Sequence, residues 1–199
     1  MKIFLLLLLF ALPVGAAEVK PQTLIKDMEG VYKHRFKNGI IATGKAPMEA
    51  DEPYESEDIV EIVRYDDEHI YVRAELQYYN GHSCSISGIA RYEKQGFVFH
   101  DPEPAYTGAP SCKLRVTVTR DKLLLTDRDS TDGESSCQVG YCGARGTLSN
   151  LSIDKSTRRP IRYMNLIVKS RQYRKAIEDL QRYEASIGSK ATSLNGSQK

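Results

Sequence analysis

The stretch CQVGYCGARGTL, residues 137–148, holds the densest chemistry in this chain of 199 residues. Cys137 and Cys142 enclose Gln-Val-Gly-Tyr, and Gly143-Ala144-Arg145-Gly146 follows directly. Cysteines at this spacing serve a metal, a redox couple or a disulfide. Zinc sites back one close pair of cysteines with a second pair or with histidines at set spacing. Here His34, His69, His82 and His100 are scattered, and none follows Cys142. A thioredoxin-like couple needs Cys-x-x-Cys opening a helix, and the motif is absent. The disulfide reading remains, with Cys84 and Cys112 completing an even count. No metal and no cofactor is expected.

Four cysteines allow three pairings. Cys137 and Cys142 are close in sequence, and Cys84 and Cys112 each open a strand. The expected bridges are therefore Cys84–Cys112 and Cys137–Cys142. A loop clamped in this way presents Tyr141 and Arg145, with Gly143 and Gly146 leaving the arginine uncrowded. Arg145 then meets an anionic partner or pairs internally with Asp127 or Asp129.

Catalytic sets are weaker. His82 stands beside Ser83, but adjacent residues of a strand point to opposite faces, so the two are poorly placed to meet. No Gly-x-Ser-x-Gly occurs, and a serine nucleophile needs a strained turn with a base and an oxyanion hole. The chain is read as a binding protein and not an enzyme.

The elements that position these residues are strands. In HIYVRAELQYY, Ile70, Val72, Ala74 and Leu76 alternate with Tyr71, Arg73, Glu75 and Gln77, and CKLRVTVTR repeats the pattern with Leu114, Val116 and Val118. Such alternation predicts half-buried antiparallel strands. EDIVEIVRY, CSISGIARYE, GFVFHD and DKLLLTD are further strands, and GVYKHRFK is the first. Short connections such as Asn80-Gly81 suit hairpins. The expected fold is mainly β, an up-and-down antiparallel barrel over residues 18–150, since closure removes exposed edges. Lys37–Ser56 and Asp101–Ser111 break the rhythm as long loops. Residues 151–187 form a basic helical segment that Ser170 can cap. Its stripe of Tyr173, Ala176, Ile177 and Leu180 docks on the barrel. Residues 188–199 are too poor in apolar side chains to order themselves.

The ends and the charges set the compartment. Met1-Lys2, the run IFLLLLLFAL and small residues to Ala17 describe a secretory signal peptide over residues 1–17. The run is shorter than the roughly 20 residues that span a bilayer. The mature chain is expected to be periplasmic or secreted, where disulfides persist. The formal net charge is only +2, but ten acids lie between Glu49 and Glu68, and eight cations with no acid lie between Lys155 and Lys175. Export argues against nucleic acid as the partner of the basic segment. An anionic membrane surface, met through the basic helix, or a cell-wall polymer is a better one.

MEGVY, Met28 to Tyr32, entering the first strand of a meander, resembles the opening of lipocalin-like small barrels, with tyrosine in place of the usual tryptophan. The signal peptide, small barrel and paired cysteines also resemble the periplasmic lysozyme inhibitors of the MliC type. Those carry Ser-Gly-x-x-Tyr on a loop that enters the lysozyme cleft. This chain has SGIARY, Ser87 to Tyr92, with the tyrosine one residue further on, and lacks the family's Thr-Lys-Gly motif. The resemblance implies an exported inhibitor of an envelope-acting enzyme such as lysozyme. His82, Ser83, Ser87, Tyr141 and Arg145 are the candidate contacts, and the acidic run suits a cationic hydrolase. A small apolar ligand inside the barrel, or a delivered toxin neutralised by an immunity protein, are the alternative partners.

Overall fold

Alternating segments joined by short turns can bury their apolar faces by curling into one sheet, and this chain does so. The computed structural model describes residues 19–41, 45, 52–128 and 137–196. The leader expected at 1–17 and Asp129 lie outside them. Helix α1 (Pro21–Met28) leads into β1 (Gly30–Ile40), β2 (Glu52–Arg64), β3 (His69–Gln77) and β4 (Ser83–Glu93). Next come β5 (Gly96–His100), β6 (Lys113–Val118) and β7 (Lys122–Thr126). The short helix α2 (Gln138–Tyr141) precedes β8 (Leu151–Asp154), and α3 (Met164–Lys169) and α4 (Arg171–Gly196) follow.

The strands pair in sequence order, each antiparallel to the next. The protein is mainly β, an up-and-down antiparallel barrel that is nearly closed and carries a C-terminal helix. At the seam, Val31 of β1 exchanges two backbone hydrogen bonds with Arg159, at 2.9 and 2.8 Å. Both β8 and this bridge lie beyond residue 150, so the barrel takes in the start of the basic segment.

The sequence reading differs from the fold in two further places. Much of the expected loop Lys37–Ser56 is strand, because β1 runs to Ile40 and pairs with β2 as far as Ile40↔Glu52. Polar cross-strand partners hold this hairpin. Lys33 Nζ and Arg35 Nε both donate to Glu57, at 2.6 and 2.8 Å, and the Asn38 amide donates to Ser56 Oγ and to the Tyr78 carbonyl. Helix α4 also continues past residue 187, where a loose tail is expected.

Side chains fill the interior. Ile70, Val72, Ala74 and Leu76 face inward with Ile86, Phe97, Phe99, Leu114, Leu123 and Leu125. A Cβ on Gly88 would stand 2.3 Å from the Phe99 ring, so β4 yields a side chain to let that ring occupy the centre. One end is corked by α1, whose Ile25 and Met28 are buried in the same core. Tyr32 donates to the Met28 carbonyl at 2.7 Å, and Lys155 Nζ holds Asp27 at 2.5 Å.

Outside the wall, Val63, Tyr71 and Ile89 form a second apolar cluster covered by Ile167 of α3 and Ala176 of α4. Tyr173, Ile177 and Leu180 pack against it, as the stripe predicts. Ser170 Oγ accepts the Tyr173 N–H at 3.1 Å and so caps the helix. Glu61, 2% exposed on this wall, is answered by Arg73 at 3.2 Å and by the Tyr163 hydroxyl at 2.5 Å.

Candidate functional site

An up-and-down barrel places alternate connections at the same end. The turns at 65–68, 94–95 and 119–121 lie beside α1, and the end of β1, the start of β2, and the described residues of the connections 78–82, 101–112 and 137–150 lie at the other end. The candidate site is this loop end.

Two disulfides fix it, and they are not the expected pair. Cys84 bonds Cys142, and Cys112 bonds Cys137, with Cα separations of 4.0 and 4.4 Å. The expected pairing fails on geometry. Cys84 opens β4 and Cys112 precedes β6, with β5 between them. Two strand spacings are about 9.5 Å, beyond the 4.4–6.8 Å over which cysteine Cα atoms are usually bridged. Cys137 and Cys142 flank α2 at its two ends, where five residues of helical rise separate them by about 7.5 Å. Each instead reaches across to a strand-end cysteine. The segment 137–150 is thereby tied to the start of β4 and to the residue before β6.

So held, this segment corks the second end. Cys137 and Leu148 are buried in the main core. Asp127, 1% exposed, accepts the Cys137 N–H at 3.1 Å and the Ser149 hydroxyl at 2.6 Å. Gly146 lies against the bridge, where a Cβ would meet Cys84 Sγ at 2.7 Å.

Tyr141, expected to be presented on the loop, is half-buried. Its ring packs edge-on to Phe99, and its hydroxyl donates to Asp101 at 2.5 Å. Burial, and then the Asp101 carboxylate, push its pKa well up. Arg145 is exposed and makes no ion pair with a described carboxylate. His82 and Ser83 lie beside it, since the Gly143 N–H donates to the Ser83 carbonyl at 2.8 Å and a Cβ on Gly143 would sit 3.4 Å from His82 Nδ1. Ser87 is elsewhere. It faces Arg73 on the outer wall, four residues along β4, about 13 Å from Ser83 at the strand rise. The structure thus brings together His82, Ser83 and Arg145, turns Tyr141 inward and leaves Ser87 outside.

Sequence reasoning missed the apolar side chains of this end. Ile40 and Tyr54 on the β1–β2 hairpin, Tyr106 in the 101–112 loop and Val139 on α2 are exposed, Tyr106 at 58% and Val139 at 55%. They are four of the eight large apolar side chains exposed among the described residues. Val139 borders a cleft of about 320 Å³ that it lines with Asp101, Ala105, Pro110, Cys112 and Tyr141. The only signal for Tyr106 was its setting in the Pro- and Gly-rich PAYTGAP.

The acidic run is not one acidic face. Glu57 is held by Lys33 and Arg35, which draw its carboxyl below the usual range. Asp58 accepts the Gln77 N–H, Asp66 holds His69, and Arg64 holds Asp67. Among the described residues no three His, Cys, Asp or Glu side chains cluster to hold a metal, and no helix is long and apolar enough to cross a membrane. Two disulfides suit a chain matured in an oxidising compartment. Comparison with known protein families, with curated proteins and with solved structures finds no match to this chain.

Proposed function

We propose that this is an exported binding protein, periplasmic or secreted, whose disulfide-pinned loop end docks on a protein partner and blocks it. An enzyme that acts on the cell envelope, lysozyme first, is the target we propose. One observation carries the reading: half of the exposed large apolar side chains, two of them tyrosines, sit with Arg145 on the end that both bridges hold rigid. Aromatic side chains and arginine dominate binding energy at protein interfaces, and a rim ordered before contact loses little entropy on docking. A carrier of small apolar ligands is less well supported, because the barrel's own side chains fill its interior.

The test is a lysozyme turbidity assay on the oxidised protein, run beside Tyr106→Ala/Val139→Ala and Arg145→Glu. Inhibition of one lysozyme class is expected, weakened about 30-fold by the double variant if the pair contributes about 2 kcal/mol as an interface anchor. No inhibition of any class at micromolar excess removes lysozyme as the target. Inhibition indifferent to all three substitutions removes the loop end as the site.

A further inference from the structure

The remaining concentration of exposed apolar side chains lies on the outer wall, away from the loop end. Leu166 is 71% exposed and Val168 38%, on either side of Ile167, which is buried against the wall at 4%. Burying Ile167 with Tyr163 and Met164 beside it forces its two neighbours outward.

The basic segment surrounds them. Of its eight cations, Lys155 holds Asp27, Arg158 donates to the carbonyls of Lys26 and Asp27, and Lys175 holds Asp179. The other five, Arg159, Arg162, Lys169, Arg171 and Arg174, are exposed and make no ion pair with a described carboxylate. Arg159 and Arg162 also line a cleft of about 310 Å³ with Val31, Lys33, Pro160 and Tyr163. Lys33 is committed there to Glu57, so the two guanidinium groups are the cleft's uncompensated charges. Arg159 is fixed by its backbone bridge to Val31.

We propose that this face, with Leu166 and Val168 as its apolar prongs and Arg162, Lys169 and Arg171 around them, docks on an anionic lipid bilayer. Aliphatic side chains that enter the headgroup region beside cations that meet its negative charge are the arrangement of interfacial membrane binding. The Arg159–Arg162 cleft receives a phosphodiester headgroup by charge-assisted hydrogen bonds. Nucleic acid fits less well, because the exposed apolar side chains of this face, Leu166 and Val168, are aliphatic and give no ring for base stacking, and Tyr173 is packed on Tyr71. The proposal is independent of the loop end and puts a bound partner at a bilayer surface.

The experiment is co-sedimentation with vesicles of phosphatidylcholine, with and without phosphatidylglycerol. It uses protein secreted by an expression host, its N-terminus checked by mass spectrometry. Binding is expected only to the anionic vesicles and is expected to fall as salt rises. Each basic residue near such a surface contributes about fivefold to partitioning, so Arg162→Glu/Lys169→Glu should lower it at least about 25-fold. Leu166→Asp should weaken it several-fold, and Arg145→Glu, at the loop end, should leave it unchanged. All four positions are exposed, and an unaltered thermal midpoint establishes that each variant is folded. Equal binding to both vesicle types, or full binding by Arg162→Glu/Lys169→Glu, overturns the proposal. Release by millimolar inorganic phosphate also overturns it, by showing a cleft that takes a free anion without a bilayer.

Discussion

Gly146 shows how tightly single residues of the loop end are specified. Any side chain there must enter the space of the Cys84–Cys142 bridge, because its Cβ would stand 2.7 Å from Cys84 Sγ and 3.2 Å from Cys142 Cβ. Neither atom can move without moving β4 or the segment 137–150, so the strain is not relieved locally. Overpacking of this kind costs about 1–3 kcal/mol. A Cβ on Gly143, three residues earlier, would have nothing nearer than His82 Nδ1 at 3.4 Å, an ordinary contact. Gly146→Ala should therefore lower the urea midpoint by an amount equivalent to about 2 kcal/mol, and Gly143→Ala should change it by well under 1 kcal/mol. Equal midpoints for the two variants would contradict the packing described. Both glycines were visible in the sequence as aids to a tight turn around Arg145. Their inequality was not, because it depends on which cysteine bridges which, and that is a property of the folded barrel.

Elements differ in how far the sequence announces them, and the difference is physical. β3 and β6 alternate cleanly because one face meets the core and the other is polar, apart from Tyr71, which the C-terminal helices cover. The end of β1 and the start of β2 do not, because their polar side chains satisfy one another across the hairpin, as Lys33 and Arg35 do with Glu57. Helix α1 has only eight residues and buries just Ile25 and Met28, too few to show a period. Tyrosines hold the helical elements to the barrel. Tyr32 reaches the end of α1, Tyr71 takes the ring of Tyr173 from α4, and Tyr163, just before α3, donates to Glu61. Burial pushes the pKa of all three up to about 12, with the Glu61 carboxylate adding to it at Tyr163. A raised folded-state pKa favours the protonated phenol. The stability it contributes is full below the unfolded value near 10 and is lost as pH rises from there through about 12. Tyr32 and Tyr71 should each withdraw about 2 kcal/mol over that window, and the less buried Tyr163 less. Urea unfolding at a series of alkaline pH values should show the decline, and Tyr71→Phe should make it shallower. A midpoint constant to pH 12 would mean that these hydroxyls are not held as described.

At the scale of the whole molecule, the barrel is filled and stopped at both ends, by α1 at one and by the disulfide-tied segment 137–150 at the other. Only part of this was legible. An even cysteine count pointed to two bridges, but sequence proximity was the wrong guide to their pairing. Closing a short loop is easy and for the same reason adds little stability, whereas a bridge across a long stretch removes more freedom from the unfolded chain. Cys84–Cys142 spans 58 residues and Cys112–Cys137 spans 25. In the chain-entropy account these correspond to about 4 and about 3.5 kcal/mol. Both bridges end on the same connection, so losing either still leaves it tied to one neighbour. Losing both frees the cork and lets water reach Phe99 and Leu148 at the top of the core. Replacing Cys84 and Cys142 by serine should thus lower stability slightly more than replacing Cys112 and Cys137, and replacing all four should cost more than the two losses added together. Urea unfolding of the three variants, with peptide mapping of the remaining bridge, checks both the order and the coupling. Strict additivity would mean that the two bridges act as separate staples and do not hold one connection jointly over the mouth of the barrel.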